Sequence, residues 1–174
     1  MLLFVCQGNL CRSPMAEFLA RSTAGGTVVS AGTHAVAGRT MHPHAMSALA
    51  EEGIDASSFR SRTLDSSLAA AATLTLTATR EQRAACTRLA PRQLGRVFTL
   101  RQFARLLDAT GLRGLTDVDS VLAAVTAVRG NIQPVPTSHD EIADPVHGTL
   151  DDMRACMRLT RRSLRSVLAV VKLP

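Results

Sequence analysis

The sequence predicts an α/β fold in which a four-stranded parallel sheet carries helices on both faces. Four short runs of apolar or β-branched residues are predicted as strands, at residues 2–5, 27–31, 73–77 and 97–100. Segments with helical spacing separate these runs, and this alternation is typical of parallel sheets with crossover helices. Ligands bind beyond the carboxyl ends of the strands in such sheets, so the loops that follow the strands are the candidate sites.

The predicted helices begin and end at recognisable signals. Ser13 is predicted to cap a helix that has Pro14 at its first position and runs to about residue 24. The glycine pair at residues 25–26 is predicted to stop this helix. The other helices are predicted over about residues 43–52, 80–89, 101–108 and 150–171.

Residues 111–141 are predicted to be an insertion in a single domain that spans residues 1–174. Within this insertion, residues 117–128 have helical spacing, and a proline-containing loop is predicted over residues 131–139. We find no internal repeat and no linker composition, and 174 residues suffice for one domain with a sizeable core.

Composition argues against several classes of protein. With 46% hydrophobic and 20% charged residues, the chain is predicted to be globular rather than disordered. The net charge of +6 comes from dispersed arginines, and there is no tryptophan or tyrosine to stack on bases, so no nucleic-acid partner is expected. No apolar run is long enough to span a membrane, and no basic region precedes the first apolar run. We therefore expect a cytoplasmic protein with no membrane partner.

The cysteines and histidines predict neither a disulfide framework nor a metal site. The four cysteines, at residues 6, 11, 86 and 156, lack the paired spacing of structural zinc sites. His42 and His44 lie at a helix start without neighbouring carboxylates, and they are interpreted as surface residues. No metal and no other cofactor is expected.

The most informative segment is the loop after the first predicted strand, which reads Cys-Gln-Gly-Asn-Leu-Cys-Arg-Ser-Pro from residue 6 to residue 14. The backbone N–H groups of such a loop and the positive end of the following helix form a cradle for a phosphate group. Gly8 allows close approach of the backbone, and Asn9 tolerates a left-handed conformation. The predicted phosphate-binding residues are Gln7, Gly8, Asn9, Leu10, Cys11, Arg12 and Ser13.

Two side chains of this loop predict covalent chemistry. Arg12 can hold two phosphate oxygens with its planar guanidinium. Cys6 lies where the helix end and Arg12 both favour a thiolate, which would attack phosphorus to give a phosphocysteine that water then hydrolyses. Ser13 could donate a hydrogen bond to the departing thiolate. The alternative interpretation of Cys6 is a buried structural cysteine at a strand end.

A departing alkoxide or phenoxide needs a proton, and Asp144 is the best candidate for the general acid. It precedes Pro145, which fixes the backbone in a loop just before the last predicted helix. The alternative interpretation is an ordinary Asp-Pro turn.

Residues 5–17 resemble the signature of the low-molecular-weight protein tyrosine phosphatases, in the form found in bacteria. Residues 30–33, 42–45, 73–77 and 97–100 and the Asp144-Pro145 pair fit that family in the same order. The resemblance implies a four-stranded parallel sheet, a phosphate-binding loop after its first strand, and metal-free hydrolysis of phosphorylated proteins or small phosphate monoesters.

The resemblance also implies roles for individual residues. Cys6 would be the nucleophile, Arg12 the phosphate binder and Asp144 the acid and then the base. Asn9, Ser13 and Ser30 would support the loop, with Ser13 easing departure of the thiolate.

The chain departs from the family at a position that bears on the substrate. Val146 stands where family members usually carry tyrosine or phenylalanine, which predicts a weaker preference for aryl phosphates. Three alternatives are a protein-arginine phosphatase, an arsenate reductase of the same fold, and a catalytically poor module that binds phosphoproteins. Leu10 stands where arginine phosphatases have a threonine, and the paired cysteines of the reductases are absent after the third predicted strand.

Cys11 resembles the second cysteine of the family's loop and predicts redox control. Oxidation of Cys6 would give a sulfenic acid that Cys11 could capture as a reversible disulfide. The alternative role of Cys11 is a small packing residue beneath the phosphate. The sequence leaves the oligomeric state open.

Overall fold

The computed structural model describes residues 1–21, 23–24, 26–114 and 116–172, and it confirms the predicted α/β architecture. The main sheet of the described chain has four parallel strands in the order β2-β1-β3-β4. The strands are β1 (Leu2–Cys6), β2 (Val28–Gly32), β3 (Leu74–Thr77) and β4 (Val97–Thr99). Because β1 is central, the loop that follows it emerges from the middle of the carboxyl edge of the sheet.

Helices connect these strands, as the alternation of the sequence predicts. The helices are α1 (Arg12–Arg21), α2 (Pro43–Ala50), α3 (Ser66–Ala71), α4 (Arg80–Leu89), α5 (Leu100–Thr110), α6 (Val118–Arg129), α7 (Thr137–Asp140) and α8 (Leu150–Val170). A 3₁₀ helix, Pro91–Arg96, leads into β4. None of the helices in the described ranges is long and apolar enough to cross a membrane.

Side chains alternate between two cores on the two faces of the sheet. Leu2, Phe4 and Cys6 of β1 face the larger core, which α1, α2, α5, α6 and α8 cover. Leu3 and Val5 face the smaller core, which α3 and α4 cover. Every residue of β1 is buried, as expected for a central parallel strand with helices on both sides.

Several short elements were not predicted, because they depend on distant partners or on single capping contacts. Helix α3 is six residues long and begins where the Asp65 side chain accepts from the backbone N–H of Leu68. A two-stranded parallel sheet pairs β5 (Thr116–Asp117) with β6 (Val171–Lys172), which follows α8. The loop predicted over residues 131–139 contains the start of α7. Such brief segments carry no periodicity that a sequence pattern could detect.

The prediction that Ser13 caps α1 is wrong. Helix α1 begins at Arg12, so Ser13 lies inside its first turn. The Ser13 side chain contacts Cys6 and Asn9 instead of capping the backbone. The same helix ends at Arg21, earlier than predicted, and Gly25 of the predicted stop lies outside the described residues.

The segment between α5 and α8 packs on the larger core. Helix α6 buries Val118, Val121, Leu122 and Val125 there, and Asp117 begins the helix by accepting from the N–H of Ser120. Residues 117–128 therefore form the helix that their spacing predicts, and its apolar side is continuous with the core that supports β1.

Candidate active site

The loop after β1 closes around Cys6 at the start of α1. Cys6 is 1% exposed, and its Sγ lies 3.0 Å from Ser13 Oγ. Asn9 has a φ of 52°, a left-handed conformation that asparagine tolerates better than most residues. The loop therefore turns tightly enough to bring the first turn of α1 back over the sulfur.

The fully buried Asn9 side chain fixes the shape of this loop. Its Nδ2 donates to Ser13 Oγ at 2.9 Å and to Ser30 Oγ at 2.8 Å. Its Oδ1 accepts from the backbone N–H of Arg62 at 2.8 Å. Three separate parts of the chain thus meet at one amide, whose donors and acceptor are all used.

Glu17 extends this network and was not singled out by sequence reasoning. Its side chain is buried in α1 and accepts from Ser30 Oγ, and it also forms an ion pair with Arg21. Burial raises the pKa of the Glu17 carboxyl, while the hydrogen bond from Ser30 and the charge of Arg21 act in the opposite direction. The sequence feature that could have indicated this role is the single acidic residue in an otherwise apolar stretch of α1.

Arg12 joins the loop to the segment that carries Asp144. The Arg12 side chain is 4% exposed, and its Nη2 forms an ion pair with Asp144 Oδ2 across 132 residues of sequence. Its Nη1 donates to the carbonyl of Ile142 at 3.2 Å. Arg12 Nε is buried and has no acceptor among the described residues, so its N–H is available to a ligand.

Three arginines anchor the segment that precedes Asp144. Asp140 is 1% exposed, and its carboxylate pairs with Arg80 at 2.8 Å and with Arg105 at 2.9 Å. Arg101 Nη1 donates to the carbonyl of Glu141 at 2.8 Å. The N–H of Ile142 donates to the carbonyl of Ala78 at 2.9 Å, next to the end of β3. These contacts hold residues 140–144, which we call the acidic segment, against the edge of the sheet.

A cavity of about 270 Å³ opens over the loop. Its lining residues are Cys6, Gln7, Gly8, Leu10, Cys11, Arg12, His34, Asp144, Val146 and His147. The structure thus gathers the predicted nucleophile, phosphate binder and general acid around one space. The predicted supporting residues Asn9, Ser13 and Ser30 lie behind it. His34 also lines the cavity, and the sequence did not predict it there. It is an exposed loop residue, and no motif in the sequence marks it as part of a site.

The second cysteine of the loop is a buried thiol. Burial, and then the negative charge of Asp144, raises the pKa of Cys11 to about 12. Cys6 and Cys11 both line the cavity over the loop. All four cysteines of the chain are free thiols.

We assign no metal site among the residues that the structure describes. No group of three or more histidine, cysteine or acidic side chains in the described chain is arranged to hold an ion. His42 and His44 stack edge to face with ring centroids 5.2 Å apart, and His42 Nδ1 accepts from the N–H of His44 to begin α2.

Residues 1–120 match the family described as "Low molecular weight phosphotyrosine protein phosphatase". The chain belongs to this family. It is 41% identical over 100 residues to the "Probable low molecular weight protein-tyrosine-phosphatase EpsP" of Ralstonia nicotianae (strain ATCC BAA-1114 / GMI1000), covering 57% of this chain and 69% of that protein. It is 38% identical over 109 residues to a "Protein-arginine-phosphatase" of Geobacillus stearothermophilus, covering 62% of this chain and 73% of that protein.

The fold agrees with this membership. The solved structure of "YwlE arginine phosphatase from Geobacillus stearothermophilus" superimposes with a TM-score of 0.72 at 29% identity, covering 96% of this chain and 89% of that chain. As a member of the family, the chain is a phosphatase that hydrolyses phosphate monoesters. Asp144 lies beyond the matched residues 1–120, so its placement rests on the ion pair with Arg12.

Gly32, at the end of β2, tests how tightly the phosphate-binding loop is packed. A Cβ there would lie 2.5 Å from the Gln7 carbonyl oxygen and 2.8 Å from the Asn9 nitrogen, so the loop backbone would have to move. Because a displacement of about 1 Å in a reacting group costs roughly 10²-fold, we expect Gly32→Ala to lower kcat/KM for para-nitrophenyl phosphate by that order. Gly95→Ala is the matched control, since a Cβ at Gly95 meets nothing within 4 Å. Equal activity of the two folded variants would contradict the prediction.

Proposed function

We propose that this phosphatase dephosphorylates phosphotyrosine in proteins, with Cys6 as nucleophile, Arg12 as phosphate binder and Asp144 as general acid. The observation that carries the proposal is the placement of Arg12. Its buried guanidinium lies between the loop around Cys6 and the Asp144 carboxylate, and its Nε has no acceptor in the described chain. A phosphate group in the loop would supply acceptors for this fork and for the backbone N–H groups.

In the first step the Cys6 thiolate would attack phosphorus opposite the leaving oxygen. The Cys6 sulfur–phosphorus bond forms as the bond to the tyrosine oxygen breaks, and Asp144 gives its proton to that oxygen. Bound phosphate would compete with Asp144 for Arg12. In the free enzyme the Asp144 carboxylate is paired with Arg12, whereas in the complex it would lie beside the negatively charged phosphate. A neighbouring negative charge favours the protonated, proton-donating form of a carboxyl group.

In the second step water would attack the phosphocysteine. Asp144, now ionised, takes a proton from the water, and the sulfur–phosphorus bond breaks to release inorganic phosphate and the Cys6 thiolate. Ser13 Oγ, 3.0 Å from Cys6 Sγ, is placed to donate to the departing sulfur. Asn9 and Ser30 hold Ser13 and the loop in register through the hydrogen bonds described above.

Because the nucleophile is buried, the phosphate group of the substrate has to enter the cavity to reach it. Cys6 is 1% exposed at the base of the cavity, while Leu10, Val146 and His147 lie along its walls. The cytoplasm is the proposed location, since four unpaired buried thiols suit a reducing compartment.

A protein-arginine phosphatase is the second candidate. Two proteins of that name, from Geobacillus stearothermophilus and Bacillus subtilis (strain 168), are 38% and 37% identical to this chain over 109 and 107 residues. Against this candidate, Leu10 offers the cavity no hydroxyl at the position that resembles the threonine of arginine phosphatases. Comparison of kcat/KM for phosphotyrosine and phosphoarginine peptides separates the two functions, and a higher value for phosphoarginine would reverse the proposal.

The role of Cys6 is tested by Cys6→Ser, because a serine hydroxyl is a far weaker nucleophile than a thiolate. We expect turnover of para-nitrophenyl phosphate to be lost while calorimetry still detects bound phosphate. Cys86→Ser is the matched control, because Cys86 is also 1% exposed but faces the opposite core. The control should keep its activity. Retained turnover in Cys6→Ser would rule out the phosphocysteine mechanism.

The role of Asp144 is tested by Asp144→Asn, which keeps the size of the side chain but cannot donate the proton. Turnover should fall by roughly 10²–10⁴, the usual contribution of general acid–base catalysis. The loss should shrink across a series of aryl phosphates as the pKa of the leaving phenol falls, because good leaving groups need less protonation. A loss that is equal across the series would assign Asp144 to positioning instead.

Substrate preference is tested at Val146, which lines the cavity where an aromatic ring would wall the substrate. Aromatic pairs stabilise by about 0.5–1.5 kcal/mol beyond area burial, so Val146→Tyr should lower KM for phosphotyrosine peptides several-fold. The wild type should show only a weak preference for aryl over alkyl phosphates. High phosphotyrosine selectivity in the wild type, together with no gain in Val146→Tyr, would show that other residues already supply the wall.

Redox protection by Cys11 is predicted to be slow at neutral pH. Peroxide should inactivate the enzyme, dithiothreitol should restore it, and Cys11→Ser should recover less activity. Because the pKa of Cys11 is raised to about 12, its thiolate fraction, and so the rate of disulfide formation, should rise roughly tenfold per pH unit through the neutral range. Peptide mass mapping across pH 6.5 to 8.5 measures the Cys6–Cys11 linkage. At each pH the exposure to peroxide is chosen so that Cys6 is oxidised to roughly the same extent. Linkage of Cys6 to Cys86 or Cys156, or recovery that does not need Cys11, would contradict the prediction.

A further inference from the structure

A second cavity, of about 350 Å³, lies between α4, α5, the end of α6 and the segment that follows α6. Four arginines line it, Arg80, Arg83, Arg105 and Arg129, together with a single carboxylate, Asp140. We call this space the arginine cavity. It shares no lining residue with the cavity over Cys6. We propose that the arginine cavity binds a small anion that carries two linked phosphate groups.

The charges around the cavity do not balance. Four arginines against one carboxylate leave an excess of three positive charges among the lining residues. The two oxygens of Asp140 already pair with Arg80 and Arg105. Glu141 accepts from the backbone N–H of Arg80. In the described chain neither Arg83 nor Arg129 has a carboxylate partner.

Like charges crowd one another at this place. Burial, and then the positive charges of Arg129 and Arg80, lowers the pKa of Arg83, and Asp140 offsets only part of this effect. The Arg129 guanidinium lies 5.8 Å from the centre of the Phe98 ring, a cation–π contact that leaves its N–H donors free. An anion between Arg83 and Arg129 would relieve their repulsion.

The available donors fit phosphate oxygens. Arg83 uses its Nε to donate to the Val97 carbonyl at 2.9 Å, and its two Nη groups have no acceptor in the described part of the chain. Arg129 has no protein acceptor there either. A planar guanidinium binds phosphate with two parallel N–H donors, so two arginines with free forks match two phosphate groups.

The size and charge of the cavity favour two phosphates over one. A volume of about 350 Å³ falls within the range of small-molecule sites, roughly 300–1,000 Å³. A single phosphate group carries at most about two negative charges, fewer than the excess at this site. The segment that closes the cavity is tied to Arg80, which donates to Thr137 Oγ1 and to the Val135 carbonyl.

Isothermal titration calorimetry with inorganic pyrophosphate tests the proposal. The full chain carrying Arg12→Ala removes binding at the loop around Cys6, and we expect it to bind one pyrophosphate. Adding Arg83→Gln and Arg129→Gln should weaken that binding by roughly tenfold or more, since each replaces a charged donor pair by a neutral amide. Inorganic phosphate should bind the Arg12→Ala protein more weakly than pyrophosphate does.

A matched control keeps the net charge equal. Arg88 and Arg92 are exposed arginines outside the cavity, and Arg88→Gln with Arg92→Gln in the Arg12→Ala background removes the same two charges. This control should leave pyrophosphate affinity within about twofold of the parent, because long-range attraction between exposed charges is screened by salt. An equal loss in the control and in the cavity variant would show diffuse attraction to a basic protein and overturn the proposal.

A second set of variants keeps the test decisive if the Arg12→Ala protein fails to fold. The wild type should bind two pyrophosphates, and Arg129→Gln alone, which removes no hydrogen bond of the described chain, should weaken only one of them. Competitive inhibition of para-nitrophenyl phosphate turnover identifies the active-site event, and that inhibition should not change in Arg129→Gln. A single binding event in the wild type, or two events that Arg129→Gln leaves unchanged, would overturn the proposal.

Discussion

A buried guanidinium connects the two halves of the proposed active site. Arg12 belongs to the first turn of α1, yet its side chain contacts Ile142 and Asp144, more than a hundred residues along the chain. Because a buried charge is costly without an opposite charge, the ion pair with Asp144 and the hydrogen bond to Ile142 hold the loop after β1 and the segment before α8 in one geometry. The cavity over Cys6 exists because both segments are drawn to the same side chain.

The loop after β1 and the side chains that support it form one hydrogen-bonded network. Asn9 accepts a hydrogen bond from the backbone N–H of Arg62 and donates to Ser13 and Ser30. Ser30 in turn donates to Glu17. Every member is buried or backbone, so loss of one contact would leave its partner unsatisfied. The left-handed Asn9 is thus maintained by hydrogen bonds from three elements, which is how a strained loop conformation persists in a folded protein.

The acidic segment, residues 140–144, is held by ion pairs in addition to the burial of Ile142 in the larger core. Asp140 satisfies Arg80 and Arg105, while Arg101 binds carbonyls of the same segment. These arginines come from α4 and α5, which follow the two strands on one side of β1. The anchoring contacts therefore lie after α6 and immediately before Asp144. Two of these arginines, Arg80 and Arg105, also line the arginine cavity.

The sequence by itself determined the elements whose information is local. The strand, the loop of residues 6–14 and the start of α1 are contiguous, so the proposed roles of Cys6 and Arg12 could be predicted from the residue types of one short segment and their order. The alternation of strands and helices determined the parallel sheet for the same reason. Ser13 shows the limit of reasoning from local sequence. It was expected to cap the helix backbone, but its hydroxyl forms hydrogen bonds with Cys6 and Asn9 instead.

Only the tertiary structure decided which distant residues meet. The Asp144 carboxylate reaches Arg12 because Ile142 bonds the end of β3 and Asp140 is clamped by two helices, and no spacing in the sequence encodes those contacts. The same holds for the N–H of Arg62 at Asn9, for Glu17 at Ser30, and for the four arginines that share one cavity. The physical reason is that burial and ion pairing depend on the packed positions of elements, whereas a sequence pattern records only neighbours along the chain.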